Sequence, residues 1–519
     1  MIIGGGTATT DSPQNTDGTG VGGFSYVGRN IYNGVYLGNG YVLTAAHVIG
    51  GDIDFGGTVG AYSWVASSAV QVQNTVSGDA GNGLPTDLVT YRIQPNASGQ
   101  LPNLAPLWLP TAASNFGTAV TLVAEGPWVA RPSYWTVNQT TNPWTWTPSD
   151  STNGNEAGFD YSSQSVYGVK RWGSNTINAN LNYTISVNGV TNYIHGTQMG
   201  FYNFGTSGTG GVPNEAALAN GDSGGGLFRT INGMTALAGI LEAKFTASGQ
   251  PNLTQSYGTG LAGGYYNYSS AVDIAWYANV IAAQMHLSQW TSTAASANWT
   301  DSKWNNFENS SAGQAGPNAA GALVNLLGIN TGPTVINLNT AATVGLLNFS
   351  SPNSYTIDSG LNSLTFNNGG SGATLADWQG SHTISAAIVL AENLSVNVAT
   401  AGTTLTLTKA VNGSGWGLTK IGQGQLTLSA ANSYSGGTTM SAGTLNYGDP
   451  AALGAGTLTV TGTSTLQAGL GGTLTNNIVL NSGVAGTVDI SNRWCNWNRC
   501  GNCDRHGREQ NYRRPSILQ

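Results

Sequence analysis

Ser223 sits in the run Asn220-Gly221-Asp222-Ser223-Gly224-Gly225-Gly226-Leu227, with one glycine two places before it and three directly after it. Glycine has no Cβ and reaches positive φ at little cost. The run therefore describes a tight turn that holds one hydroxyl outward and lets a carbonyl approach the backbone. Acyl transfer needs that arrangement: a nucleophile to attack, and adjacent N–H groups to receive the oxyanion. In a chain with 75 glycines among 519 residues, a plain flexible loop is the competing reading. A second pattern upstream favours the chemistry. Residues 41–48 form an apolar strand running into Thr44-Ala45-Ala46-His47, and histidine is the side chain best suited to take a hydroxyl's proton near neutral pH.

Together these two motifs resemble the trypsin/chymotrypsin-like serine proteases, in which histidine, aspartate and serine follow one another along the chain. The resemblance implies an endopeptidase acting on proteins or peptides. Ser223 would be the nucleophile and His47 the base, and the N–H groups of Gly221 and Ser223 the oxyanion hole. Candidates for the carboxylate between His47 and Ser223 include Asp52, Asp54, Asp79, Asp87, Asp150 and Asp160. Asp87 is preferred because 86–93 places it at the head of an alternating apolar strand, forty residues after the histidine. There a carboxylate is partly buried and can accept the imidazole N–H, fixing its tautomer. Asp52 and Asp54 follow His47 so closely that a surface turn suits them better.

The resemblance also places Ala217, six residues before Ser223, at the base of the primary specificity pocket. A small neutral residue there does not support a preference for arginine or lysine. Glu242-Ala243-Lys244 stands where the family usually has Ser-Trp-Gly, which makes Glu242 a second pocket candidate. Ile2-Ile3-Gly4-Gly5 is similar to the new N-terminus of activated trypsins, whose amine pairs with the aspartate before the nucleophile, here Asp222. A chance run beside a missing signal peptide is the alternative for those residues. No metal or organic cofactor is implied.

Several elements must position these groups. Residues 31–37 and 41–43, joined by Gly38-Asn39-Gly40, read as a β-hairpin that delivers His47. Residues 107–110 and 120–126 read as opening strands of a second barrel. The aromatic-rich stretch 127–210, from Trp128 and Trp135 to Tyr183 and Tyr193, reads as long hairpins packed on that barrel rather than as a stacking surface for sugars. Residues 269–285 show helical periodicity with a serine cap and read as a closing helix.

At 519 residues the chain exceeds one ordinary domain. Only 8% of residues are charged, and Gly, Thr, Ser and Asn abound, a composition suited to exported β-rich proteins. The net charge of −7 is spread thinly, with no basic patch before residue 490, which argues against nucleic acid as a partner. No apolar run approaches the roughly 18–20 residues that span a bilayer. The N-terminus lacks the basic and apolar segments of a signal peptide.

The protease-like region is expected over 1–288, followed by a Ser/Asn/Ala-rich connection, a linker or solenoid entry, over 289–333 containing Trp290, Trp299 and Trp304. Over 334–490, short Thr/Val/Leu strands recur at irregular intervals between Gly, Asn and Ser. Each is too short to bury its own face, so stacking into a solenoid follows. Residues 417–445 resemble the autotransporter-associated β-strand repeat, whose passengers are right-handed parallel β-helices on bacterial surfaces. The fold class expected is thus all-β: a two-barrel chymotrypsin-like domain followed by a right-handed parallel β-helix, secreted or held at a cell surface.

The tail, 491–519, breaks the pattern with every cysteine and six arginines. Cys495, Cys500, Cys503 and His506 have ligand-like spacing. A frameshift replacing further repeats and any outer-membrane or surface attachment segment explains the abrupt change better. The rivals to a trans-acting protease are a catalytically silent fold serving as a surface adhesin and a domain that only processes its own chain.

Overall fold

The computed structural model describes residues 2–4, 21–29, 32–48, 50–56, 59–96, 101–110, 112–125, 131–138, 140–141, 145–149, 156–160, 170–200, 215–218, 221–231, 234–245, 268–306, 311–314, 316–469, 474–481 and 486–489. The chain divides into two compact units, Met1–Gln284 and Met285–Gln519. The tail with its cysteines lies outside the described residues.

Two sheets make up most of the first unit. One has seven strands in the order Ala61–Tyr62, Ile53–Asp54, Val27–Arg29, Asn33–Gly38, Tyr41–Thr44, Pro85–Ile93 and Trp64–Gln73, every neighbour antiparallel. Its apolar residues, among them Tyr36, Val42, Ile53, Phe55, Tyr91 and Ile93, form one core cluster. The hairpin expected at 31–43 is present, and its turn takes positive φ at all three residues, 112°, 48° and 76° at Gly38, Asn39 and Gly40. Two glycines and an asparagine are the residue types that tolerate this.

The other sheet has nine strands and its own core around Leu122, Met199, Leu227, Leu241 and Ala271. Its centre is Ala119–Ala124, Gly226–Ile231, Met234–Phe245 and Tyr268–Asp273, flanked by the long hairpin Ala179–Val187 and Val190–Met199. A third small sheet joins Thr145–Ser149, Arg131–Asn138 and Glu156–Asp160. Most aromatics of the 127–210 stretch have side chains outside the described residues, but Tyr183 and Tyr193 belong to the hairpin.

The closing helix is shorter than its periodicity suggests. Tyr268–Asp273 is a strand, Ile274–Trp276 a 3-10 turn, and only Ala278–Gln284 an α-helix. Tyr268–Asp273 has a strand on each side, so its backbone groups are taken up in the sheet before a helix can use them. The cap is Asp273 rather than a serine: its carboxylate accepts the Ala275 N–H at 3.0 Å.

The second unit is a parallel β-solenoid. Each turn contributes one strand to each of two parallel sheets, as Leu418–Ile421 does to one and Gln425–Leu428 to the other. Leu418, Thr438, Leu458 and Ile478 stack in register, each twenty residues beyond the last. Two strands per turn, separated by unequal corners, explain why the strand spacing looks irregular in sequence. Inward-facing leucines, valines and isoleucines from both sheets form one continuous core.

The solenoid begins earlier than the sequence reading places it. Leu287–Trp290 already pairs in parallel with Leu323–Leu327, so of the two readings of 289–333, linker or solenoid entry, the strands follow the second. Trp290, Trp299 and Trp304 are buried together, with ring centroids 5.1 and 4.8 Å apart for the two pairs that include Trp304. Each indole N–H donates to a backbone carbonyl, of Ser292, Pro317 and Trp299 respectively. With the antiparallel strands Trp304–Asn306 and Ser311–Gln314, they cover an end of the stack that would otherwise expose its core.

One core position of the repeat is a lysine. Lys420 is buried in the column between Val396 and Met440, and its Nζ donates to the carbonyls of Ile421, Gly422 and Ala442 at 2.8, 2.8 and 3.3 Å. An apolar neighbour could fill the column but could not serve those carbonyls. Lys420→Met is expected to lower the solenoid's stability by roughly 2–4 kcal/mol through buried acceptors left without donors. Denaturant unfolding of the full chain, followed beside wild type, would check this.

Candidate active site

His47 lies three residues beyond the strand Tyr41–Thr44, and Asp87 two residues into the neighbouring strand Pro85–Ile93. The pairing of these strands brings the two side chains together. Nδ1 of His47 is 2.6 Å from Asp87 Oδ2, while the His47 backbone N–H donates to Oδ1 at 2.8 Å. The Asp87 side chain is wholly buried and that of His47 is 32% exposed. One carboxylate thus fixes both the ring and the main chain of the histidine, leaving Nε2 as the free edge. Burial pulls the imidazole pKa down, but the hydrogen bond and charge of Asp87 outweigh it, with a smaller push from Glu242. The net result is a value above the ordinary 6.5.

Three of the other aspartates have partners elsewhere. Asp52 accepts the Trp64 N–H, twelve residues on, and Asp54 the Gly56 N–H, as a turn residue does. Asp79 pairs with buried His195 at 2.8 Å, and the His195 ring stacks on Trp276 with centroids 4.0 Å apart. Asp160 ends the strand Glu156–Asp160, and Asp150 lies outside the described residues. His382 is a buried solenoid residue, accepting the Tyr355 N–H at Nδ1.

The Ser223 turn follows the sequence reading in its backbone. Gly221 and Gly224 have φ of 91° and 83°. A Cβ on Gly224 would overlap the Asn33 carbonyl and the Thr44 hydroxyl, so a side chain is excluded there. The Gly224 N–H donates to the Leu241 carbonyl at 2.8 Å and the Leu241 N–H to the Gly225 carbonyl at 2.8 Å, tying the turn to the strand Met234–Phe245. Ser223 Oγ donates to the backbone carbonyl of Glu242 at 3.0 Å.

Two groups that sequence reasoning passed over complete the surroundings. Asn33, 2% exposed, reaches across from the His47 hairpin. Its Nδ2 donates to the carbonyls of Gly221 at 2.9 Å and Ser223 at 3.3 Å, and its Oδ1 accepts the Glu125 N–H at 2.7 Å. Nothing in the sequence sets this asparagine apart from its many neighbours of the same type. The second is Tyr183, whose hydroxyl donates to Glu242 Oε2 and pairs with Ser270 Oγ at 2.8 Å. Glu242 is 4% exposed, and burial beside Asp87 pushes its pKa up to about 8 against the pull of Tyr183 and His47.

Ala217 is buried in Glu215–Ala217, where Ile2–Gly4 adds an antiparallel strand in the register Ile2↔Ala217. Asp222 is fully buried, and the side chains of Ile2 and Ile3 lie outside the described residues.

Residues 418–446 match the passenger-associated transport repeat. No curated protein matches the chain. Among solved structures, neuropsin, a serine protease expressed in the limbic system of mouse brain, is 16% identical, with a TM-score of 0.27, covering 49% of this chain and 88% of its own. Rv3671c from M. tuberculosis, in an inactive serine-to-alanine form, is 13% identical, with a TM-score of 0.27, covering 53% and 94%. The active form of the same protease is 12% identical, with a TM-score of 0.26, covering 48% and 72%. At such identities and scores these likenesses assign no role to any residue.

The Asn33 contacts carry a consequence for the turn. Asn33→Ala strips a buried donor from two carbonyls of the Ser223 turn and an acceptor from Glu125. A loss of about 1–3 kcal/mol is expected. Thermal unfolding, together with the rate of proteolytic nicking near residue 221, would register both the lost stability and the freed turn.

Proposed function

We propose that the first unit is a serine endopeptidase in which Ser223, His47 and Asp87 act together. The observation that carries this reading is the buried Asp87 carboxylate holding His47 through Nδ1 while Nε2 stays free. In that tautomer Nε2 can accept the Ser223 proton as the hydroxyl attacks a peptide carbonyl. Asp87 then stabilises the imidazolium that forms, and the proton passes on to the leaving amine. The N–H groups of Gly221 and Ser223 serve as the oxyanion hole, each such donor contributing typically about a hundred- to thousand-fold in rate. Ala217 and Glu242 are assigned to the surroundings of the substrate side chain, with no arginine or lysine preference. Substrates are proteins or peptides, and neither a metal nor nucleic acid enters the scheme.

The repeat at 418–446 supports display of this unit on a passenger-type stalk, secreted or at a bacterial surface. Attachment to an outer membrane or cell surface would come from segments beyond the repeat. The rival reading, a silent fold serving adhesion, is favoured by one observation: the Ser223 hydroxyl bonds the Glu242 carbonyl. Turning it to His47 exchanges one neutral hydrogen bond for another.

A fluorophosphonate probe decides between them. Wild type is expected to label at Ser223, Ser223→Ala and His47→Ala not at all, and Asp87→Asn about 10⁴-fold more slowly through the wrong tautomer. A folded wild type that stays unlabelled, including after trimming to Ile2 or Ile3, would sink the protease reading. Labelling should rise with pH as His47 loses its proton, and because that pKa is raised, the midpoint is expected above 6.5.

A further inference from the structure

The strand Met234–Phe245 has an irregularity where it meets Tyr268–Asp273. Leu241 pairs with Ala271 and Ala243 with Ser270, so Glu242 is the extra residue of a bulge. Bulges re-aim a side chain out of the sheet's alternation. This one sets the Glu242 carbonyl against the Ser223 hydroxyl at 3.0 Å and buries its carboxyl within electrostatic reach of His47 and Asp87. Glu242 Oε2 takes the Tyr183 hydroxyl, while Oε1 is buried with no hydrogen-bond partner among the described residues. The Tyr183 ring is covered in turn by Phe245, with centroids 5.0 Å apart.

We propose that Glu242 is a positioning residue of the His47–Asp87 pair, a second carboxyl whose charge sets how strongly His47 holds a proton. Its bearing on catalysis rests on the protease reading above; the electrostatic coupling itself does not. The groups facing it are Asp87 from Pro85–Ile93, His47 beyond Tyr41–Thr44, and Tyr183 from Ala179–Val187, with the neutral Ser270 behind Tyr183. Two carboxylates cannot both ionise cheaply in a dry site, and Glu242, bonded to a hydroxyl rather than an imidazole, is the one whose pKa is pushed up. Glu242 keeps its proton at neutral pH and loses it near 8. The sign of the coupling follows from charge. An ionised Glu242 favours the His47 cation, and a cationic His47 favours ionised Glu242, by the same factor. Protons therefore leave the pair in two coupled steps rather than one.

The experiment uses the full chain with carbon-13-labelled histidine, reading the His47 ring by NMR from pH 5 to 10 and fluorophosphonate labelling over the same range. His47→Ala assigns the resonance. Wild type is expected to show the His47 step and a second inflection near 8 in both readouts. Glu242→Gln, which keeps the shape, should lack that inflection and move the His47 midpoint down. Tyr183→Phe removes the hydroxyl that favours the carboxylate, so its inflection should move up; it also decides the matter if the glutamine variant does not fold. A wild type with no second inflection, or one that persists in Glu242→Gln, overturns the proposal. A wild type that takes no probe but shows the inflection in the ring overturns the protease reading and upholds the coupling.

Discussion

Burial of one carboxylate organises the first unit. Asp87 has no exposed side-chain surface, and a charge in that position must be matched by donors or it would cost several kcal/mol. Among the described residues the donors come from one residue, the backbone and ring of His47. That is why the hairpin turn at 38–40, the strand Tyr41–Thr44 and its register against Pro85–Ile93 matter. A slip by one residue would turn Asp87 to the other face of its sheet and leave the imidazole without an anchor.

The second sheet meets this arrangement through polar contacts rather than apolar packing alone. Asn33 spans the gap with three hydrogen bonds, and Gln71 bonds Asn192 at 2.8 Å on another side. Such contacts are directional, so they fix the orientation of the Ser223 turn relative to the His47 hairpin more sharply than a greasy interface would. The bulge at Glu242 belongs to the same design. It supplies the carbonyl that now holds Ser223, and it inserts a carboxyl whose burial the Tyr183 hydroxyl partly offsets.

Much of this was legible in the chain. His47 and Ser223 carried motifs with a mechanism, and Asp87 stood at the start of an alternating strand, where its burial could be anticipated. The solenoid was legible as strands too short to stand alone. Its regularity was hidden, because one turn spends its residues on two sheets and the corners between them vary. Residues 269–273 misled because helical and sheet periodicities overlap over so short an apolar run, and neighbours on both sides settled the matter. Trp290, Trp299 and Trp304 looked like a decorated connection because nothing local tells a cap from a linker; only the end of a stack needing cover does. Asn33, Tyr183 and the buried aim of Glu242 depend on contacts between residues more than fifty positions apart, beyond any local pattern.

The Ser223 hydroxyl weighs less against catalysis than its direction first suggests. Its bond to the Glu242 carbonyl joins two neutral groups, a type worth about 0.5–1.5 kcal/mol net. In the proposed triad, rotating about one side-chain bond toward the imidazole would then cost about tenfold in population at most, and a bond to Nε2 would offset it. The His47–Asp87 contact is of another order. It is charge-assisted, short and buried, and breaking it would strand a carboxylate away from water. Of the two, the expensive interaction is the one already in place, and what the proposed chemistry still asks for is an inexpensive rotation.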